Sequence, residues 1–175
     1  APLMAGRAHR SPHPARSRLA PAAARGLAAL CRQLDWGTAQ ALGRGIGRLG
    51  WWLARRDRAR TLEHLALALP EAGAGERERL ARRVFEHFGV LLAECLHLSD
   101  KSCADIARHV EIEGWERIEA LRAAGRQVMI VTGHCGNWEL LAATINCRGL
   151  GMAVVARQLE NPRFAALLLA LRERF

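Results

Sequence analysis

The sequence has no tyrosine and a single lysine, Lys101. Aromatic residues make up 5% of the chain, as five Trp and four Phe. So sparse a set argues against a nucleic-acid platform on which bases stack. With one lysine, the basic charge falls to arginine, a skew that fits nucleotide composition better than a need for guanidinium chemistry. No run reaches the ~18 apolar residues that a bilayer crossing needs. Arg25, Arg32, Asp35, Arg44 and Arg48 break every candidate span between 19 and 54. Nor is there a signal-peptide pattern, since Arg7, Arg10, Arg16 and Arg18 are not followed by an uninterrupted apolar core. The five cysteines (Cys31, Cys95, Cys103, Cys135 and Cys147) include no C-x-x-C and no paired Cys/His spacing. That argues against a structural zinc site and reads as free thiols in a reducing compartment. No metal or cofactor is expected. The chain opens on Ala1 rather than Met and stops at Phe175 inside an apparent helix, so it reads as a fragment.

What is present is a chain of 175 residues, half of them hydrophobic, enough for one domain with a real core and a smaller appendage. The net charge of +9 is uneven. Residues 1–60 hold twelve Arg against Asp35 and Asp57, whereas residues 61–175 are close to neutral. A basic N-terminal third suits an anionic partner, either phospholipid headgroups or nucleic acid.

Along the chain, residues 1–18 are rich in Ala, Arg, Pro and His without an apolar period, and are expected to be disordered. Residues 19–56 alternate apolar and basic character and read as an interfacial, membrane-associated helix. Trp51 and Trp52 stand where an aromatic anchor would, with Arg55, Arg56 and Arg58 directly after, so the expected partner is a membrane surface and not nucleic acid. An ordinary amphipathic helix packed on the body fits the same pattern. Gly45-Ile46-Gly47-Arg48-Leu49-Gly50 matches G-x-G-x-x-G, but no strand precedes it and Trp-Trp-Arg-Arg soon follows. Its glycines instead suit close approach of a helix to a neighbour or a bilayer.

Residues 57–175 are expected to form an α/β domain. Helices are predicted over 57–69, stopped by Pro70, and over 75–98, where Leu80, Val84, Phe85, Phe88, Leu91, Leu92 and Cys95 recur at three and four. A short helix at 103–109, a possible short strand at 110–113 and a helix at 114–124 follow. Val128 to Val131 is a continuous apolar run, as a strand buried on both faces requires. A helix at 137–146, a second buried strand at 152–156 and a helix from Asn161 complete a βαβ unit with a parallel pair. The fold expected is thus an N-terminal helical segment followed by the start of a βαβ sheet packed with helices.

The chemistry concentrates at the end of the first predicted strand, where T-G-H-C-G-N-W-E spans 132–139. Open α/β sheets place their sites there. Gly133 and Gly136 permit a sharp turn. His134 would lie in the turn and Glu139 in the first turn of the next helix, so the carboxylate can orient the imidazole. A histidine of ordinary pKa ~6.5 suits proton transfer near neutral pH, here as a general base on a hydroxyl. Backbone N–H groups near Gly136 and Asn137 could hold an oxyanion or phosphate. A loop histidine bonded to a nearby carboxylate for stability fits the same spacing.

The string Gly-His-x-Gly-Asn-Trp-Glu resembles the H-x4-D/E motif of the glycerophospholipid acyltransferase superfamily. More narrowly, it resembles the bacterial lipid A late acyltransferases, the lauroyl and myristoyl transferases. Arg58 to Glu71 is similar to that family's R-x-N-L-x-x-x-x-P-E segment, and residues 154–164 (V-V-A-R-Q-L-E-N-P-R-F) to its V-x-R-x-x-x-N-P stretch. The resemblance implies acyl transfer from an acyl carrier protein or acyl-CoA thioester to a lipid A precursor or related glycolipid hydroxyl. It implies His134 as the base, Glu139 as its partner and a place on the cytoplasmic face of the bacterial inner membrane. Arg157 could bind a phosphate or carrier group, or be a solvated surface arginine. With Gly136 and Asn137 it completes the expected substrate-binding set. A hydrolase using the same pair on a lipid or thioester, and a membrane-binding module without chemistry, are the alternatives.

Overall fold

The computed structural model describes residues 16–133, 135–154, 169, 172 and 173. Among the described residues the secondary structure is helical: α1 (Arg16–Gln33), α2 (Trp36–Leu53), α3 (Arg55–Ala68), α4 (Ala74–Leu98), α5 (Cys103–Ala107), α6 (Trp115–Ala123) and α7 (Trp138–Cys147).

The long N-terminal segment divides where Asp35 interrupts its apolar period. Asp35 is extended (φ −70°, ψ 164°), and its side chain accepts the Thr38 N–H at 3.0 Å, which caps α2. The end of α1 is closed by its neighbours. His97 Nδ1 lies 2.9 Å from the Cys31 carbonyl, and Lys101 Nζ donates to the Arg32 carbonyl at 3.0 Å. The lone lysine therefore caps a helix, satisfying a carbonyl that has no intrahelical partner.

α4 is the central strut, with α1, α2 and α3 all packed on it. Gly43 and Gly47, four residues apart on one face of α2, meet Gly89 of α4 backbone to backbone. A Cβ built on Gly43 would fall 2.6 Å from the Gly89 carbonyl oxygen and 2.7 Å from Val90 Cα. Of the glycines in the dinucleotide-like string, Gly47 lies at this contact and Gly45 faces open space. The string is a helix-packing feature, as its context implied. Ala28, Cys31, Ala93 and Leu96 form one core cluster, and Leu98, Ile106 and Ala143 a second that joins α4, α5 and α7.

Three expectations change. Trp51, expected as a membrane anchor, is 4% exposed. It packs edge-on to Phe85 at 5.5 Å under the guanidinium groups of Arg58 and Arg82, at 5.3 and 5.0 Å. It falls in register with Ala39, Gly43 and Gly47 on the α4-facing stripe of α2. Cys103 and Cys147, expected as free thiols, form a disulfide between α5 and α7 with Cα atoms 5.3 Å apart; Cys31, Cys95 and Cys135 are free. The pairing escaped the sequence because 44 residues separate the two.

The third change concerns the sheet. Among the described residues no strand is formed, either at 127–133, at 110–113 or at 151–154. Met129 and Val131 are 88% and 87% exposed. An isolated strand pair is marginal in water, and independent stability takes three or more strands with an apolar face, or packing against a helix. Among the described residues the apolar run has no partner strand. The second buried strand, at 152–156, extends beyond the described residues after 154.

Candidate functional site

The start of α7 gathers the site. Gly136 has φ +62°, the left-handed region that glycine enters without strain, and it turns the chain into the helix. Asn137 follows as N-cap, its Oδ1 accepting the Leu140 N–H at 3.0 Å. Glu139 stands in the first turn, where the positive end of the helix dipole favours a negative charge. Its side chain is nevertheless buried, at 7% exposure.

A buried carboxylate needs donors. Trp138 Nε1 donates to Glu139 Oε1 at 3.1 Å, Arg172 Nη2 to the same oxygen at 2.6 Å, and Arg172 Nε to Oε2 at 2.9 Å. The fork geometry is the strong form of an arginine–carboxylate pair. It raises the Arg172 pKa above its ordinary value, chiefly through the hydrogen bond to Glu139 and against the opposing effect of burial. A carboxylate has about four acceptor positions. The described residues fill three, two on Oε1 and one on Oε2.

A second carboxylate lies below. Glu94 of α4, 8% exposed, accepts Gln40 Nε2 at 2.6 Å and Asn137 Nδ2 at 2.8 Å. The Cys95 thiol donates weakly to Asn137 Oδ1 across 3.9 Å. Burial, with the negative charges of Glu139 and Glu94 adding to it, pushes the Cys95 thiol up to about 12. Cys95 is therefore unsuited to act as a nucleophile, because the thiolate is the reactive form. Phe88 meets Trp138 edge-on with ring centres 6.4 Å apart and is itself 53% exposed, so an apolar side flanks the α7 start.

The structure thus brings Gly136, Asn137 and Glu139 together. His134 and Arg157 lie outside the described residues. Arg172, Glu94 and Gln40 were not singled out from the sequence. Glu94 carries a local signal, a charge on the otherwise apolar last turns of α4. Arg172 carries none, standing 33 residues from the carboxylate it grips. Among the described residues no group of three His, Cys, Asp or Glu side chains forms a metal cage.

These features define a helical scaffold with a glycine-turned loop leading to a buried, arginine-held carboxylate at a helix N-terminus. The chain belongs to the bacterial lipid A biosynthesis acyltransferase family, whose model matches residues 22–175. Among curated proteins it is similar to the lipid A biosynthesis myristoyltransferase of Escherichia coli (strain K12), 29% identical over 134 residues, covering 77% of this chain and 40% of that protein. The lipid A biosynthesis lauroyltransferase of the same organism is 29% identical over 130 residues, covering 74% and 42%. The lipid A biosynthesis acyltransferase of Haemophilus influenzae is 24% identical over 134 residues. The chain spans about two fifths of the length of these relatives. No solved structure matches it significantly.

Proposed function

We propose that this protein transfers a fatty acyl chain from an acyl carrier protein or acyl-CoA thioester to a hydroxyl of a lipid A precursor or related glycolipid. The carrying observation is Glu139: a buried carboxylate with a fixed rotamer, five residues after His134, in a chain of this family. His134 takes the proton of the acceptor hydroxyl. The resulting alkoxide attacks the thioester carbonyl, the adduct collapses with cleavage of the carbon–sulfur bond, and the leaving thiolate takes the proton back from the His134 imidazolium. Glu139 is proposed to accept the imidazole N–H at Oε2, to which the described residues supply one donor. That bond selects the tautomer whose other nitrogen is free to accept a proton, and it stabilises the imidazolium that forms. Arg172 holds the carboxylate in place through both of its oxygens. Asn137 and Gly136 fix the turn, and the N-terminal amides of α7 suit a developing oxyanion. Arg157 is proposed to bind a phosphate of donor or acceptor.

The proposed place of work is the cytoplasmic face of the bacterial inner membrane. No helix among the described residues is long and apolar enough to cross a membrane. Contact with the surface is supported by Leu49, Trp52 and Leu53 on the outer side of α2, exposed at 57%, 63% and 71%, followed by Arg55, Arg56 and Arg58. Arg82 stacks over Trp52 at 5.8 Å. We further propose that Val128 to Val131 is the first strand of the family's sheet, supported by its exposed apolar run. The test is donor turnover by the full-length protein with and without a lipid acceptor. Transfer that requires the acceptor supports the proposal, and thioester consumption without one favours a hydrolase.

A further inference from the structure

Resting on that proposed chemistry, we propose that Glu94 is a positioning residue for the transfer, acting through Asn137. The direction of each hydrogen bond is set by the groups themselves. The Leu140 N–H can only donate, so the Asn137 atom 3.0 Å from it is the oxygen. The Asn137 Nδ2 is therefore turned to Glu94, which it meets at 2.8 Å, while Gln40 Nε2 meets the other oxygen of Glu94 at 2.6 Å. Position 94 must accept from two amide groups at once. A carboxylate does this; an amide of the same shape has a single acceptor oxygen. Glu94 thereby joins α2, α4 and the N-cap of α7, locking the Asn137 rotamer. The Asn137 rotamer holds the first turn of α7, on which Glu139 stands two residues later. Through this chain Glu94 keeps Glu139 at a fixed place relative to the Gly136 turn, without touching substrate.

The arrangement has a symmetric counterpart, which supplies the test. In Glu94→Met neither amide keeps an acceptor at position 94, whereas in Glu94→Gln the Gln40 amide can turn over to accept and leave the Asn137 contact in place. In Asn137→Asp two carboxylates face each other. In the double variant the amide introduced at position 94 donates to the carboxylate introduced at 137, which still accepts the Leu140 N–H, and its oxygen still accepts from Gln40. Every hydrogen bond returns with the charge moved one residue along the relay. In the full-length protein Glu94→Met and Asn137→Asp should each lose kcat by about 10- to 100-fold, with KM changed by less than about threefold, as small displacements of catalytic groups do. The double variant should recover most of the loss. Hydrogen exchange at the Leu140 amide should quicken in the singles and slow again in the double. Overturning results are wild-type kcat in Glu94→Met, a folded Glu94→Gln/Asn137→Asp double variant no better than Asn137→Asp, or a loss that follows the folded fraction alone. Should His134→Ala retain full activity in the same assay, the proposed chemistry fails by itself, and the Leu140 exchange still reports on the Glu94–Asn137 relay.

Discussion

Arg172 grips both carboxylate oxygens of Glu139, at 2.9 Å through Nε and 2.6 Å through Nη2, from 33 residues farther along the chain. Removing one partner of a buried pair strands the other charge, at a cost of 3–5 kcal/mol when both are buried. Arg172 is 37% exposed in its side chain, so solvent screening reduces this to about 1–2 kcal/mol. Arg172→Ala should lower Tm accordingly and slow acyl transfer. Arg172→Lys keeps the charge and loses the fork, so it should fall between wild type and Arg172→Ala. Thermal unfolding beside an acyl-transfer assay checks both, and an unchanged Arg172→Ala would show the pair to be incidental.

Two neighbouring glycines of α2 should respond to the same substitution with opposite sign. A Cβ on Gly47 would lie 2.6 Å from Glu86 Cα and closer still to the Phe85 carbonyl, whereas a Cβ on Gly45 meets nothing within 4 Å. Gly47→Ala should destabilise by about 1–3 kcal/mol through overpacking. Gly45→Ala should stabilise by about 0.5–1 kcal/mol, as glycine removal from an exposed helix does. Chemical denaturation of the two variants reads the difference. Equal effects would mean that α2 and α4 do not meet along this stripe.

The helices were the legible part of this fold, and the reason is local. α4 was expected over 75–98 and spans Ala74–Leu98, because its apolar period is long and uninterrupted. α7 was expected over 137–146 and spans Trp138–Cys147, marked by its Asn N-cap and glycine turn. What the sequence hid is set by distance along the chain. The Cys103–Cys147 bridge, the Glu94–Asn137 relay and the Arg172–Glu139 fork each join residues more than 30 positions apart. Trp51 and Trp52 looked equivalent as text, yet one turns to Phe85 and the other to solvent, because adjacent helical positions lie about 100° apart around the axis. The apolar run at 128–131 reads as a buried strand, yet among the described residues it forms no strand and Met129 and Val131 are exposed, because a local run carries no information on what covers it.

The thiols should sort by environment. Without reductant, alkylation at pH 8 should label exposed Cys135 quickly and leave Cys31 and Cys95 slow, the former buried and the latter with its thiol pushed up to about 12. Reduction should release Cys103 and Cys147 for labelling and lower stability by about 2–4 kcal/mol, as loss of a long-loop disulfide does. Intact-mass counting with and without reductant, paired with thermal unfolding, tests this. Five reactive thiols before reduction would contradict it.

Asp105 should show an acid-side transition. Hydrogen bonds from Ser102, through hydroxyl and backbone N–H, hold its carboxyl below the ordinary value of 3.8, with a smaller contribution from Arg108. A depressed folded pKa means the capping box of α5 contributes fully above the unfolded value, and that its contribution fades as pH falls below 3.8 through the folded value. Carboxyl-carbon NMR should give a midpoint below 3.8 in wild type. Ser102→Ala should move that midpoint upward; an unmoved midpoint would remove the capping box from the account.

The central claim is that Glu139 works with His134 on an acceptor hydroxyl. The most direct measurement is acyl transfer from a labelled acyl carrier protein to a tetra-acylated lipid A precursor. It compares full-length wild type with His134→Ala and Glu139→Gln, each verified as folded. A positioned general base contributes roughly 100- to 10,000-fold, so both variants should fall by at least about 100-fold. Transfer by either variant at the wild-type rate would contradict the account.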